Sequence, residues 1–107
     1  MAFWRRLAER EYKFAAISGN TDGFTVVAAV TGKRIRVIAI SLSISAAGTV
    51  TLKSDTTVLG TIVAKTADPT YVAKADEGLV QTAAGEALKI GNATTLTVSG
   101  YVTFVEI

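Results

Sequence analysis

The residue types that most often carry catalysis are scarce in this chain, which contains no histidine and no cysteine among its 107 residues. Histidine is the commonest general base near neutral pH, and both residue types are frequent metal ligands. Their absence removes Ser-His and Cys-His nucleophile pairs, disulfides and thiolate metal sites. Carboxylates, hydroxyls and basic groups remain as the possible carriers of chemistry.

The acidic residues come closest together at Asp76 and Glu77, with Asp68 shortly before them. Carboxylate oxygens are the ligands that hard cations such as Ca²⁺ prefer, but the spacing does not match an EF-hand loop. Acidic residues beside glycine are also ordinary in turns. We therefore interpret this group as turn residues, and we interpret Asp22 and Asp55 in the same way.

Hydroxyl groups recur along the chain but lack an evident base. Without histidine, a serine nucleophile needs a desolvated lysine beside it. The candidate lysines stand near predicted strand ends or turns, where lysine is usually exposed: Lys33, Lys53 and Lys65. The serines considered are Ser18, Ser41, Ser43 and Ser45. We infer from them no nucleophile, no cofactor and no enzymatic activity.

Charge and hydropathy limit the classes of partner. The chain has 11 basic and 9 acidic residues, an excess too small for a globally basic nucleic-acid binder. The cluster Lys33, Arg34 and Arg36 is interpreted as a solvated strand start. No apolar stretch approaches the ~20 residues that cross a bilayer. Arginines and glutamates occupy the place of a signal-peptide core, so we expect folding or assembly in a cytoplasm.

Residues 1–11, MAFWRRLAERE, predict a short helical or extended arm. Its apolar residues recur at helical spacing, and its charged residues occupy the other side. A helix this short needs a surface to lie on, and exposed aromatic side chains are costly to leave in water. That surface is either the protein's own domain or a partner, and we favour the partner. The predicted partner-binding residues are Phe3, Trp4, Arg5, Arg6, Leu7 and Arg10.

Residues 12–107 predict a single β-domain. Short strands separated by glycine, asparagine and aspartate turns indicate an all-β, antiparallel β-sandwich of jelly-roll type. The predicted strands cover residues 12–17, 24–31, 34–45, 49–53, 57–64, 70–73, 79–82, 86–90, 94–99 and 101–107. The predicted core comprises Val26, Ile38, Ile40, Leu42, Val50, Leu52, Leu88, Leu96, Val98, and Val102 or Phe104.

The longest predicted strand, residues 34–45, has a conflict in its alternation. Strict alternation puts Ile38 and Ile40 on one face, together with Arg34 and Arg36. Ile35 and Val37 are better suited to that inner face. A β-bulge near Val37 and Ile38 would let both halves of the strand point their apolar side chains inward.

Three segments carry a resemblance to a known family: 31–41 (TGKRIRVIAIS), 82–88 (TAAGEAL) and 100–106 (GYVTFVE). They resemble small β-sandwich proteins encoded among the virion structural genes of tailed bacteriophages. The likeness covers most of residues 24–107 and excludes the arm. It implies a non-enzymatic virion component that decorates or cements the head, binds the major capsid protein and forms a homo-oligomer, often a trimer.

Two alternatives stay open beside head decoration. The first is a tail, fibre or receptor-binding β-module of the same virions, although a long repeated shaft segment is missing. The second is a carbohydrate-binding or hydrolytic β-sandwich, which is disfavoured because the only tryptophan lies in the arm. High hydrophobicity without a membrane segment also predicts self-association, since an apolar sheet face or edge is commonly covered by a second copy.

Overall fold

The computed structural model describes residues 12–65, 70–75, 77–92 and 96–107. These residues form strands and connecting turns, and no helix occurs among them. The predicted arm, with its six partner-binding residues, lies outside the described residues. The strands are β1 (Lys13–Gly19), β2 (Phe24–Val27), β3 (Ile35–Ile44), β4 (Gly48–Ser54), β5 (Thr57–Ala64), β6 (Thr70–Lys74), β7 (Val80–Gln81), β8 (Leu88–Asn92) and β9 (Val98–Glu106).

The strands form two antiparallel sheets. Sheet 1 has the order β1-β9-β3-β6, and β7 pairs with β3 beside β6. Sheet 2 has the order β2-β8-β4-β5. Because β6 and β7 follow the same side of β3, they act as one interrupted strand. The pairs β1–β9, β2–β8, β3–β6/β7 and β4–β5 then make a long antiparallel ribbon wound into two sheets, which is the jelly-roll arrangement.

The core lies between the sheets and consists of aliphatic side chains with one aromatic ring. Its most buried members come from both sheets, as expected for two inner faces that interdigitate. Val102 and Phe104 both belong to it. The predicted Val26 is only half-buried at its margin. Core members that were not predicted from the sequence include Ile17, Ile44 and Ile90, while Ile35 and Val37 lie inward as the predicted bulge requires.

The predicted bulge in β3 is confirmed. Val37 pairs with Phe104 and Ala39 pairs with Thr103, so Ile38 is the extra residue on β3. The shift lets Val37 and Ile40 both point into the core, at 0% and 2% exposure. Ile38 is itself buried, and its carbonyl accepts a hydrogen bond from the Ala75 N–H at 2.9 Å. The bulge coincides with the interruption between β6 and β7.

The predicted strand break at Gly100 is wrong, because β9 runs through it without interruption. Gly100 has φ +146°, and a Cβ added there would lie 1.8 Å from the Ser41 carbonyl oxygen. Glycine is thus required for the close approach of β9 to β3 and does not mark a turn. The strand predicted at 94–99 is also shortened, since Leu96 and Thr97 precede β9.

Other predicted boundaries move by a few residues. β2 ends at Val27, well before residue 31, and residues 28–30 are exposed. β8 extends through Gly91 to Asn92, where the sequence analysis expected a turn. A Cβ on Gly91 would lie 2.6 Å from Thr51 Oγ1 and 2.8 Å from Lys53 Cε. These side chains cover the glycine, so its role is packing within the sheet.

Candidate interaction surface

The outward side of sheet 1 brings together residues from four strands that are far apart in sequence. In one row, Ala16 pairs with Tyr101, Tyr101 with Ser41, and Ser41 with Val72. Facing residues in neighbouring strands lie roughly 5 Å apart and share one side of the sheet. We call this surface the sheet 1 outer face, and it consists of Phe14, Ala16, Ala39, Ser41, Val72, Tyr101 and Thr103.

Three large apolar side chains of the sheet 1 outer face project into solvent. Phe14 is 74% exposed, Val72 is 69% exposed and Tyr101 is 57% exposed. Small residues lie beside them, with Ala16 and Ser41 on either side of Tyr101 in the same row. The face therefore presents projecting aromatic side chains beside shallow depressions, a shape that a complementary protein surface can fit.

Charge is confined to the borders of this face. In the next row, Phe14, Thr103 and Ala39 are followed by Lys74 on the edge strand β6. At the bulge end, Arg36 is half-buried and its Nε donates a hydrogen bond to Gln81 Oε1 at 2.9 Å. An apolar centre with a polar rim is the usual composition of a protein interface.

The outward side of sheet 2 has a different composition. Its central strands carry threonines and lysines, and Lys53 pairs directly with Lys89. Thr51 lies opposite Thr61 on β5. Threonine suits a solvated pleated surface because it is β-branched and polar, and the lysines keep their charged ends in water. The exposed aromatic residues of the two sheets are on sheet 1, which makes that face the stronger candidate for binding.

Two of the three residues in the basic cluster predicted as a solvated strand start have that character. Lys33 and Arg34 are exposed, and the Arg34 backbone exchanges two hydrogen bonds with Ile107 at 2.8 and 2.9 Å. Arg36 instead lies against Gly78, where an added Cβ would be 2.7 Å from its Cδ. Together with Glu77 and Gln81 it lines an open cleft of about 260 Å³. The cluster is thus divided between two exposed residues and one, Arg36, that packs against the β7 segment.

The carboxylates described by the structure have the turn roles that the sequence indicates. Asp22 Oδ1 accepts a hydrogen bond from the Asn92 N–H, and Asp55 Oδ1 accepts one from the Ala87 N–H, both at 3.1 Å. Glu77 is exposed in a turn, whereas Asp68 and Asp76 lie outside the described residues. Within the described ranges no cluster of three or more potential metal ligands occurs.

The serines considered as nucleophiles are distributed over the molecule. Ser41 and Ser43 point outward from β3, and Ser18 is exposed on β1. Ser45 Oγ accepts a hydrogen bond from the Thr97 N–H at 2.8 Å. The structure thus places three of the four, Ser18, Ser41 and Ser43, on the outward side of sheet 1, where they contribute small polar side chains.

Two buried hydroxyl groups, those of Ser54 and Thr82, make contacts that were not predicted from the sequence. The Ser54 hydroxyl connects the β4–β5 turn to the segment before β8. Ser54 Oγ donates to Glu86 Oε1 and accepts from the Ala83 N–H at 3.0 Å. Thr82 Oγ1 accepts from the Ile35 N–H at 2.9 Å. Ser54 and Thr82 are 2% and 1% exposed, so both hydroxyls are deeply enclosed. Their contacts join loops, which indicates a structural role.

The sheet 1 outer face was not predicted from the sequence, where the arm was the predicted binding site. A signal was present, since Phe14 and Tyr101 occupy strand positions that alternate with inward-facing residues. An apolar side chain at an outward position is informative only when its neighbours in space are known. Those neighbours come from strands distant in sequence, since Phe14 pairs with Thr103 on β9 and Tyr101 pairs with Ser41 on β3.

No protein-family model and no curated protein sequence matches this chain. Among the described residues, no helix has the length and apolar character needed to cross a membrane.

Proposed function

We propose that this protein is a non-enzymatic virion structural protein, most specifically a decoration or cement protein that binds the head lattice of a tailed bacteriophage. The proposal combines the sequence resemblance with a jelly-roll body, an architecture found in viral capsid and lectin domains. The major capsid protein is the proposed partner, and the virion is the proposed location, with assembly in the host cytoplasm. Neither a membrane nor direct nucleic-acid binding is part of the proposal.

The observation that carries the proposal is the uncharged row Ala16, Tyr101, Ser41 and Val72 across sheet 1. Burying this row against a protein surface removes exposed apolar area from water, a gain of roughly 25 cal/mol for each Å². Ala16 of this row belongs to β1, and residues 1–11 directly precede β1 in the sequence. We propose that the arm adds to binding of the capsid through the residues Phe3, Trp4, Arg5, Arg6, Leu7 and Arg10.

The first experiment is to image purified phage particles that carry a tagged copy of the protein. Label distributed over the head supports decoration. Label on the tail or at one vertex contradicts it and favours the alternative, a tail, fibre or receptor-binding module.

A second experiment tests the surface itself. Val72→Lys places a charge in the uncharged row of the sheet 1 outer face, at its β6 end, and we expect occupancy on particles to fall about tenfold. Val58→Lys is the matched control, because Val58 is also an exposed strand valine, at 52%, and lies on sheet 2. Equal occupancy for the two variants, with both folded, would contradict the assignment of this face.

We further propose that the protein self-associates. Its apolar fraction is 50%, and symmetric assembly is the common way to cover sheet faces and edges that remain. A trimer is the stoichiometry that the family resemblance implies.

A further inference from the structure

The two sheets end in edge strands that differ in how they are protected against pairing with another chain. An edge strand is protected by shortness or by charged side chains, lysine above all. In sheet 2, β2 has only four residues. In sheet 1, β1 begins with Lys13, which forms an ion pair with Glu106, and β6 ends with the exposed Lys74. Each of these three edges therefore carries a recognised form of protection.

β5 is the fourth edge, and it differs from the others. Its eight residues, TVLGTIVA, include no charged residue and no proline. The register with β4 shifts once, because Leu52 pairs with Gly60 and Lys53 with Val58, which makes Leu59 a bulge. From Gly60 to Ala64 the pairing is regular. A regular, uncharged edge of five residues is a template for a further strand.

On each face of the sheet, this stretch also has one apolar side chain that the rest of the protein does not fully bury. Val63 points outward and is 66% exposed, while Ile62 points inward and is only half-buried. Beside Ile62 a cavity of about 150 Å³ enters the space between the sheets, and Gly60, Tyr71 and Val80 are among its lining residues. An added strand with an apolar inward residue would extend the core at this point.

We propose that β5 pairs antiparallel with β5 of a second copy, about a twofold axis that passes through Ile62. In this register Thr61 of one copy lies opposite Val63 of the other, and Ile62 lies opposite its own counterpart beside the cavity. The two copies of sheet 2, each of four strands, become one continuous sheet of eight. This inference deepens the self-association in the proposed function and rests on it, and it specifies a dimer in place of a trimer.

Charge selects a second copy as the occupant. Self-pairing of β5 brings only uncharged residues opposite one another, so no like-charge pair opposes it. The β6 edge instead carries the exposed Lys74, and a lysine on an edge strand opposes pairing with another chain. Antiparallel pairing of one strand with itself is also isologous, so a single mutation acts at two places in the interface.

The test is sedimentation equilibrium of the full chain over micromolar to hundred-micromolar concentrations. We expect a concentration-dependent mass that approaches twice that of the monomer. Thr61→Lys with Val63→Lys puts a lysine opposite a lysine twice and should raise the dimer dissociation constant about tenfold or more. Thr61→Lys with Val63→Glu puts opposite charges face to face in the same register and should restore the dimer.

Val72→Lys is the control on sheet 1 and should leave the dimer intact while it lowers occupancy on particles. Monomer at every concentration, a trimer, or a double-lysine variant that still dimerises would each overturn the proposal. If the double-lysine variant does not fold, hydrogen exchange of the wild type decides, because protection of the 60–64 amides must increase with concentration. A failure of capsid binding with an intact dimer would count against the proposed function alone.

Discussion

Gly100 on β9 and Ser41 on β3 approach each other backbone to backbone. A Cβ on Gly100 would lie 1.8 Å from the Ser41 carbonyl oxygen, and Gly100 has φ +146°, a conformation that residues with a side chain rarely adopt. This contact joins β9 to β3 at the centre of sheet 1, and it positions Tyr101 directly beside Ser41 on the outer face.

The first prediction follows from that contact. Gly100→Ala should lower the free energy of unfolding by about 3 kcal/mol or more, because it adds backbone strain of roughly 1–3 kcal/mol to a steric clash between two strands. Urea unfolding measures the loss. Gly85→Ala is the control, since Gly85 has φ +75° and open space around its Cα. A loss at Gly100 no greater than that at Gly85 would show that the strands can separate at little cost.

The second prediction concerns the core. Ile40 is 2% exposed within the cluster between the sheets. Truncation to alanine leaves a cavity, and Ile40→Ala should therefore cost about 2–5 kcal/mol. Val58→Ala, at an exposed position of sheet 2, should cost less than about 0.5 kcal/mol. Thermal or urea unfolding distinguishes the two, and a small loss at Ile40 would contradict the assigned face of β3.

The third prediction concerns the buried hydroxyl of Ser54. Ser54→Ala leaves the Ala83 N–H and the Glu86 carboxylate without their shared partner, and we expect a loss of about 1–3 kcal/mol. Ser18→Ala, at an exposed position of β1, is the matched control and should be nearly neutral. Hydrogen exchange should also show faster opening of the segment before β8 in the Ser54 variant only. Unchanged exchange there would mean that this contact does not hold the loop.

The fourth prediction concerns the arm. Deletion of residues 1–10 should leave the sandwich folded and lower occupancy on particles, and the double change Phe3→Ala with Trp4→Ala should act similarly. Aromatic and arginine residues are the types most often found at binding hot spots. Reversing the charges of Arg5, Arg6 and Arg10 should mainly slow association and change its dependence on salt.

Melting temperature and particle binding, measured on the same truncated protein, separate the two possible docking surfaces of the arm. If the arm packs on its own domain, the melting temperature falls and the folded fraction binds as before. Occupancy that survives the deletion would contradict the assignment of the arm to a partner.

The all-β sandwich and most of the strands are evident from local pattern. Strands are predicted by the alternation of apolar and polar residues, and turns by the residue types between them. Both patterns involve only neighbours along the chain, so they can be recognised in the sequence. Even the bulge at Ile38 could be predicted, because Arg36 and Ile38 compete for the same face and only an extra residue resolves the conflict. Ile35 and Val37, before the bulge, and Ile40 and Leu42, after it, all lie in the core, as that prediction requires.

The meaning of individual glycines was decided only by the tertiary structure. Gly100 and Gly91 read as turns, yet each lies inside a strand because a backbone or a side chain from another strand occupies the place of a Cβ. The sequence shows that a glycine has no side chain, but it does not show which atoms of another strand occupy the place of its Cβ.

The tertiary structure also determined the sheet 1 outer face and the unprotected edge at β5. Tyr101 and Val72 lie in one row because both pair with Ser41 on β3. β5 is an edge strand because of the order of the strands in sheet 2. Composition predicts that a chain half of whose residues are hydrophobic has apolar surface to cover. Which face or edge is left uncovered depends on long-range strand pairing, and no local pattern carries that information.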